Sequence, residues 1–144
     1  MTAKELRQIP QLHRQIERDM EQLVYLQEKA TSIPSTVTER ERVQTSPSGG
    51  GNRYVEAAID LERDIRRKRD LLEELQTEAA RFIHLMPFET ETERLTVRVM
   101  RYRYLKCYTW EEIADLLGYQ ARYIQRLEFE ALKVDITGHG SSLI

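Results

Sequence analysis

The chain has one cysteine, Cys107, so no intrachain disulfide can form, and a lone thiol fits a reducing compartment. Glycine and proline are scarce, six and four in 144 residues, which favours helix over sheet and makes all-α the expected class. Aromatic residues are only 8% of the chain, little mass for a large core, so one small domain plus an elongated element is the natural organisation. No run of about 18 apolar residues exists to span a membrane. The opening MTAKELRQIPQLHRQIERD is too polar to read as a signal peptide, and a cytoplasmic location is expected. Neither sign of charge dominates: 22 basic residues face 24 acidic ones for a net charge of −2. That balance excludes a generally basic nucleic-acid coat, so any nucleic-acid contact has to be local.

What is there begins with two heptad-like seams. Leu6, Ile9, His13, Ile16, Met20, Leu23, Gln27 and Ala30 recur at alternating steps of three and four, with His13 and Gln27 as polar interruptions. Thr2 and Glu5 have capping-box spacing at the start. Pro10 is costly inside a helix, so the spacing predicts a helix over about 11–30 with a short turn ahead of it. A second seam follows: Ala58, Leu61, Ile65, Lys68, Leu72, Leu75, Ala79, Phe82 and Met86. The positions between are mostly charged, so each stripe needs a partner, and the obvious one is the other helix. TSIPSTVTERERVQTSPSGGGN, residues 31–52, breaks both periods and reads as a flexible connector for an antiparallel, coiled-coil-like hairpin over 1–86.

Pro87 closes that hairpin, and Thr90 and Glu93 repeat the capping-box spacing ahead of a helix over about 91–105, with Leu95, Val99 and Tyr102 on one face. Thr109 and Glu112 form a third such pair. They start a helix whose Trp110, Ile113, Ala114 and Leu117 make an apolar face, with Gly118 next, where a left-handed residue turns the chain. A further helix from about Gln120 turns Ile124, Leu127, Ala131 and Leu132 inward. Short helix, glycine turn and anchored second helix are the arithmetic of a helix-turn-helix, here within a three-helix unit over 88–134; residues 135–144 are expected to fray.

On the opposite face of the second helix, Arg122, Gln125 and Arg126 form one outward stripe, flanked by Gln120 and Tyr123. Arginine can make a bidentate contact with guanine and glutamine with adenine, and the N-terminal half of such a helix is the part that enters a major groove. Glu128 and Glu130 follow where the helix would leave the groove, and Phe129 on the outward side is expected to pack against the hairpin or a second subunit. These five residues are the expected DNA contacts. Solvated arginines, with Arg126 paired to Glu130, are the plainer alternative.

YTWEEIADLLG (108–118) and YIQRLEFEAL (123–132) resemble the C-terminal promoter-reading region, region 4, of bacterial sigma-70-type factors. More widely, the chain is similar to small sigma-like proteins of bacteriophages and of prophages in Gram-positive bacteria. The resemblance implies a late-gene type of transcription regulator in a bacterial host's cytoplasm, binding double-stranded DNA, with RNA polymerase as a further partner. Ala121 and Arg122 depart from the family's pattern and imply a different target. No counterpart of the polymerase-binding or promoter-melting sigma regions is present, so a stand-alone initiation factor is not expected. The seams suggest a homo-oligomer, with a dimer favoured because two half-sites raise affinity. Two other function classes fit the same residues: a protein–protein adaptor working through the hairpin, and a DNA-packaging recognition subunit.

Enzyme chemistry and cofactors find no support. His13, His84 and His139 are far apart in sequence and have no metal-ligand spacing, and SPSGGGN lacks the lysine and context of a phosphate loop. Glu111 and Glu112 are explained by a helix start. Trp110 and Tyr102 read as core rather than base-stacking platforms.

Overall fold

A computed structural model of the chain describes residues 1–32 and 50–136, and the connector between them and the last eight positions, His139 included, lie outside the described residues. The described chain is all-α and contains no strand. It comprises α1 (Ala3–Ser32), α2 (Gly50–His84), α3 (Glu91–Met100), a π-helical turn (Arg101–Leu105), α4 (Trp110–Leu117) and α5 (Ala121–Ile136). Packing groups these into two units: Arg14–Leu71, and Met1–His13 together with the chain from Leu72 onward.

In the first of these units, α1 and α2 pair antiparallel within one chain. Asp19 meets Lys68, while Gln22 and Leu26 share a groove with Ala57, Asp60, Leu61 and Asp64. The α2 seam takes the expected phase, with Ala58 and Ile65 buried. The α1 seam does not: Met20 is 41% exposed and Gln27 is exposed, while Leu26 is buried. The inward positions therefore run through Ile16, Asp19, Leu23 and Leu26: Leu23 stays where the seam put it, while Asp19 and Leu26 each replace the residue that follows, Met20 and Gln27. The reason is chemical. Lys68 Nζ, itself at a seam position, lies 2.6 Å from Asp19 Oδ2 and 3.2 Å from Asp64 Oδ2, so the seam carries a charge pair instead of a methionine. The Asp19 and Asp64 carboxylates raise the Lys68 pKa above its ordinary 10.5.

Helix boundaries also differ from expectation. The helix α1 starts at Ala3, not near residue 11, and runs through Pro10. Thr2 and Glu5 complete the capping box, with Thr2 N donating to Glu5 Oε1 at 2.8 Å and Glu5 N to Thr2 Oγ1 at 3.1 Å. Pro10 lacks the amide that would bond the Leu6 carbonyl. Leu6 and Ile9, in the turn that leads into Pro10, are fully buried, and their burial, about 1.5–3 kcal/mol each, offsets the cost of about 3 kcal/mol. At the other end Thr31 Oγ1 donates to the carbonyls of Gln27 and Glu28, keeping the last turn helical. Helix α2 reaches back to Gly50, inside the expected connector.

The second unit gathers the helix-turn-helix segment around Val99, Ile113, Ala114 and Ile124, with Leu95, Tyr102, Tyr108, Trp110, Leu117 and Ala121 packed against them. Leu6, Ile9, Ala79 and Ile83, from the first turns of α1 and the end of α2, are buried in the same unit.

Candidate nucleic-acid interface

Two capping boxes fix where the short helices begin. Thr90 Oγ1 accepts from Glu93 N at 3.0 Å and Glu93 Oε1 accepts from Thr90 N at 3.0 Å. Thr109 and Glu112 repeat the arrangement at 3.1 and 2.8 Å. Bonds from the Thr90 and Glu89 amides hold the Glu93 carboxyl below its ordinary 4.5. The helix expected over about 91–105 stays α only to Met100, and its last five residues form the π-helical turn, closed by Lys106 N donating to Arg101 O. Cys107 follows with φ 59, a left-handed conformation unusual for a side chain of this kind. Gln76 on α2 holds this turn in place: its Nε2 donates to the carbonyls of Tyr104 at 3.1 Å and Leu105 at 3.3 Å. Those carbonyls are among the orphans every helix end leaves behind.

Trp110 is half-buried, with the Arg103 guanidinium carbon 4.5 Å from its ring centroid, and Tyr102 stacks on Tyr108 at 5.6 Å. Both tryptophan and tyrosine are therefore engaged within the fold. Gly118 turns the chain with φ +77, and its amide and that of Tyr119 both donate to Ala114 O, at 2.8 and 3.2 Å. The Gly118 bond is the five-to-one bond of a left-handed cap, and the Tyr119 bond adds the six-to-one bond of a Schellman motif. Gln120 accepts from Tyr123 N and Ile124 N, so its carbonyl begins the next helix.

The residues expected to form the helix-turn-helix core differ in how far they are covered. Ile113, Ala114, Ile124 and Leu127 are buried; Trp110 and Leu117 are partly covered; Gly118 is at the surface of the turn. Ala131 is only partly covered, while Leu132 is fully buried.

Arg122, Gln125 and Arg126 lie exposed on one stripe of α5, and Gln120 is exposed just ahead of it. Arg126 makes no ion pair with Glu130 among the described residues. Tyr123 is half-buried, its ring 5.4 Å from that of Tyr119. Four of the five expected contact residues thus present their side chains to solvent, and the fifth leans on the turn.

Glu128 departs from expectation. It does not continue the outward face but is buried at 4% exposure. Its carboxylate accepts from the Tyr104 hydroxyl and lies 3.6 Å from Arg7 Nη2, an arginine whose side chain is half-exposed. Burial, then the Glu128 charge and its hydrogen bond, push the Tyr104 phenol well above its ordinary 10.0. The signal for this was in the spacing: Glu128 stands four residues from both Ile124 and Leu132, an inward register that its charge disguises. Phe129, expected to pack against the hairpin or a second subunit, is 55% exposed in the single chain, so the hairpin does not cover it. The register that turns Ile124 and Glu128 inward turns Phe129 out.

Among the described residues no three His, Cys, Asp or Glu side chains are gathered as metal ligands would be. No helix among them is long and apolar enough to cross a membrane. No protein-family model, no curated protein and no solved structure matches this chain.

Proposed function

We propose that this chain binds double-stranded DNA sequence-specifically, as a sigma-like transcription regulator of the phage type, with α5 in the major groove. What carries the reading is the stripe of Arg122, Gln125 and Arg126: three groups able to read base edges, exposed together on a helix whose other face is anchored in the core. The net charge of −2 does not oppose it, because the acid nearest the stripe on the inward side, Glu128, is buried and paired. RNA polymerase remains a proposed further partner on the strength of the resemblance to sigma factors.

The test is selection of bound duplexes from a random pool, followed by Arg126→Ala. The variant should lose about 1–3 kcal/mol of specific binding and relax the preference at one base position. Absence of any shifted duplex at low salt overturns the proposal.

A protein-binding role for the Arg14–Leu71 unit is the second reading. Met20 and Val24 on α1, and Val55 and Ile59 on α2, are exposed apolar pairs at helical spacing. They suit an adaptor surface or a second copy of the chain. Val24→Glu with Ile59→Glu should then lower the mass seen by light scattering, or abolish partner capture, and leave duplex binding by the isolated subunit intact.

A further inference from the structure

On α3 and the π-helical turn, Arg94, Arg98 and Arg101 follow one another at steps of four and three, which places them on one helical face. They line an open groove of about 630 Å³ whose far side is Leu117 and Tyr119, at the helix-turn-helix corner. Arg94 is committed to the fold, its Nη1 donating to the carbonyls of Glu89 at 2.8 Å and Phe88 at 3.4 Å. Arg98 and Arg101 are exposed and, among the described residues, make no ion pair or side-chain hydrogen bond. One acid, Glu91, shares the groove, so its balance is positive in a chain that is slightly negative overall.

The leucines of this groove, Leu95 and Leu117, are packed against the core cluster, so the floor is not an open apolar slot for a peptide. What faces outward is the guanidinium groups and the Tyr119 phenol, the chemistry that grips phosphate diesters, with the exposed Phe88 ring as the groove's one apolar edge. The groove also continues into the reading stripe. Tyr119 lines it, and the Tyr119 ring lies 5.4 Å from that of Tyr123, the residue beside Arg122 on α5.

We infer that Arg98 and Arg101 form a second, sequence-independent contact, taking backbone phosphates of the same duplex whose bases α5 reads. The inference rests on the DNA-binding reading above and adds to it a rail that sets the angle of α5 in the groove. Phosphate contacts position a protein without reading sequence, and each releases counterions, so the rail has a salt signature distinct from that of the stripe.

The experiment measures fluorescence anisotropy of a labelled random-sequence duplex against the full chain over a salt series. Wild type is compared with Arg98→Gln/Arg101→Gln, Arg98→Lys/Arg101→Lys and Arg126→Ala. The glutamine pair should weaken binding to all duplexes alike and flatten the slope of log K against log salt by roughly 2, about 0.9 for each phosphate lost. The lysine pair should restore the slope, since a point charge suffices for a phosphate and its normal affinity excludes misfolding as the cause. Arg126→Ala should change discrimination between selected and random duplexes, which the glutamine pair leaves alone. If wild type binds duplex and the glutamine pair keeps the wild-type slope, the rail is refuted while the reading of α5 stands. If wild type binds no duplex, both fall.

Discussion

The hydroxyl of Tyr104 donates to the buried carboxylate of Glu128, tying the π-helical turn that precedes α4 to the middle of α5. Arg7 completes the site from the start of α1, 3.6 Å from the same carboxylate. An unpaired buried carboxylate is strongly unfavourable, so these two partners decide whether α5 can hold its register.

Tyr104→Phe should therefore cost about 1–3 kcal/mol, the penalty of leaving a buried acceptor short of a donor. Adding Glu128→Met should recover most of it, because both polar groups then vanish together. Urea unfolding of the two single variants and the double variant closes the cycle. A Tyr104→Phe protein as stable as wild type contradicts the assignment.

Alkaline pH should act through the same tyrosine. Its folded pKa lies above the ordinary 10.0, so the folded state keeps a proton that the unfolded chain releases. Stability is thus fully present below pH 10 and declines as pH rises above it, and Tyr104→Phe should remove that part of the slope. At the acid end the sign reverses. Backbone amides of Thr2 and Thr90 hold Glu5 and Glu93 below 4.5, so the capping boxes contribute above that value and weaken as pH falls through it. Unfolding midpoints measured across both ranges check the two directions.

Gly118→Ala isolates backbone strain. A Cβ there meets nothing within 4 Å, so the cost comes from φ +77 alone and should be about 1–2 kcal/mol, with Gly118→Asn milder. Thr109→Ala, one helix earlier, should cost about 1 kcal/mol through the lost cap. Thermal unfolding of each variant provides the comparison.

Lys68 and Asp19 are about a quarter exposed, so their pair is partly screened and worth no more than about 1 kcal/mol. Lys68→Leu alone should destabilise by about that amount, and the loss should shrink in high salt. Asp19→Leu with Lys68→Leu should be neutral or stabilising, since two seam positions become apolar. Because the Lys68 pKa is raised, the pair's contribution holds below 10.5 and fades as pH climbs through the folded value.

The helices, their caps and the glycine turn were legible because each leaves a local mark: Thr-x-x-Glu three times, apolar steps of three and four, and Gly118 after Leu117. The outward position of Arg122, Gln125 and Arg126 follows from the same periodicity. What periodicity could not reveal depends on partners distant in sequence. The α1 register moves off Met20 because Lys68 selects Asp19, 49 residues away. Glu128 turns inward because Tyr104 and Arg7 are waiting for it, and Pro10 stays helical because Leu6 and Ile9 are buried around it. The π-helical turn has no sequence signature of its own; Gln76, reaching in from α2, accommodates its carbonyls.

Residues 1–13 and the described chain from Leu72 belong to one compact unit, so the smallest fragment that carries α5 with its supports is discontinuous in sequence. A clone beginning at residue 88 would contain every helix-turn-helix landmark yet lack the guanidinium of Arg7 and the amide of Gln76. Subcloning by motif would cut through the foundations of the very helix it set out to isolate.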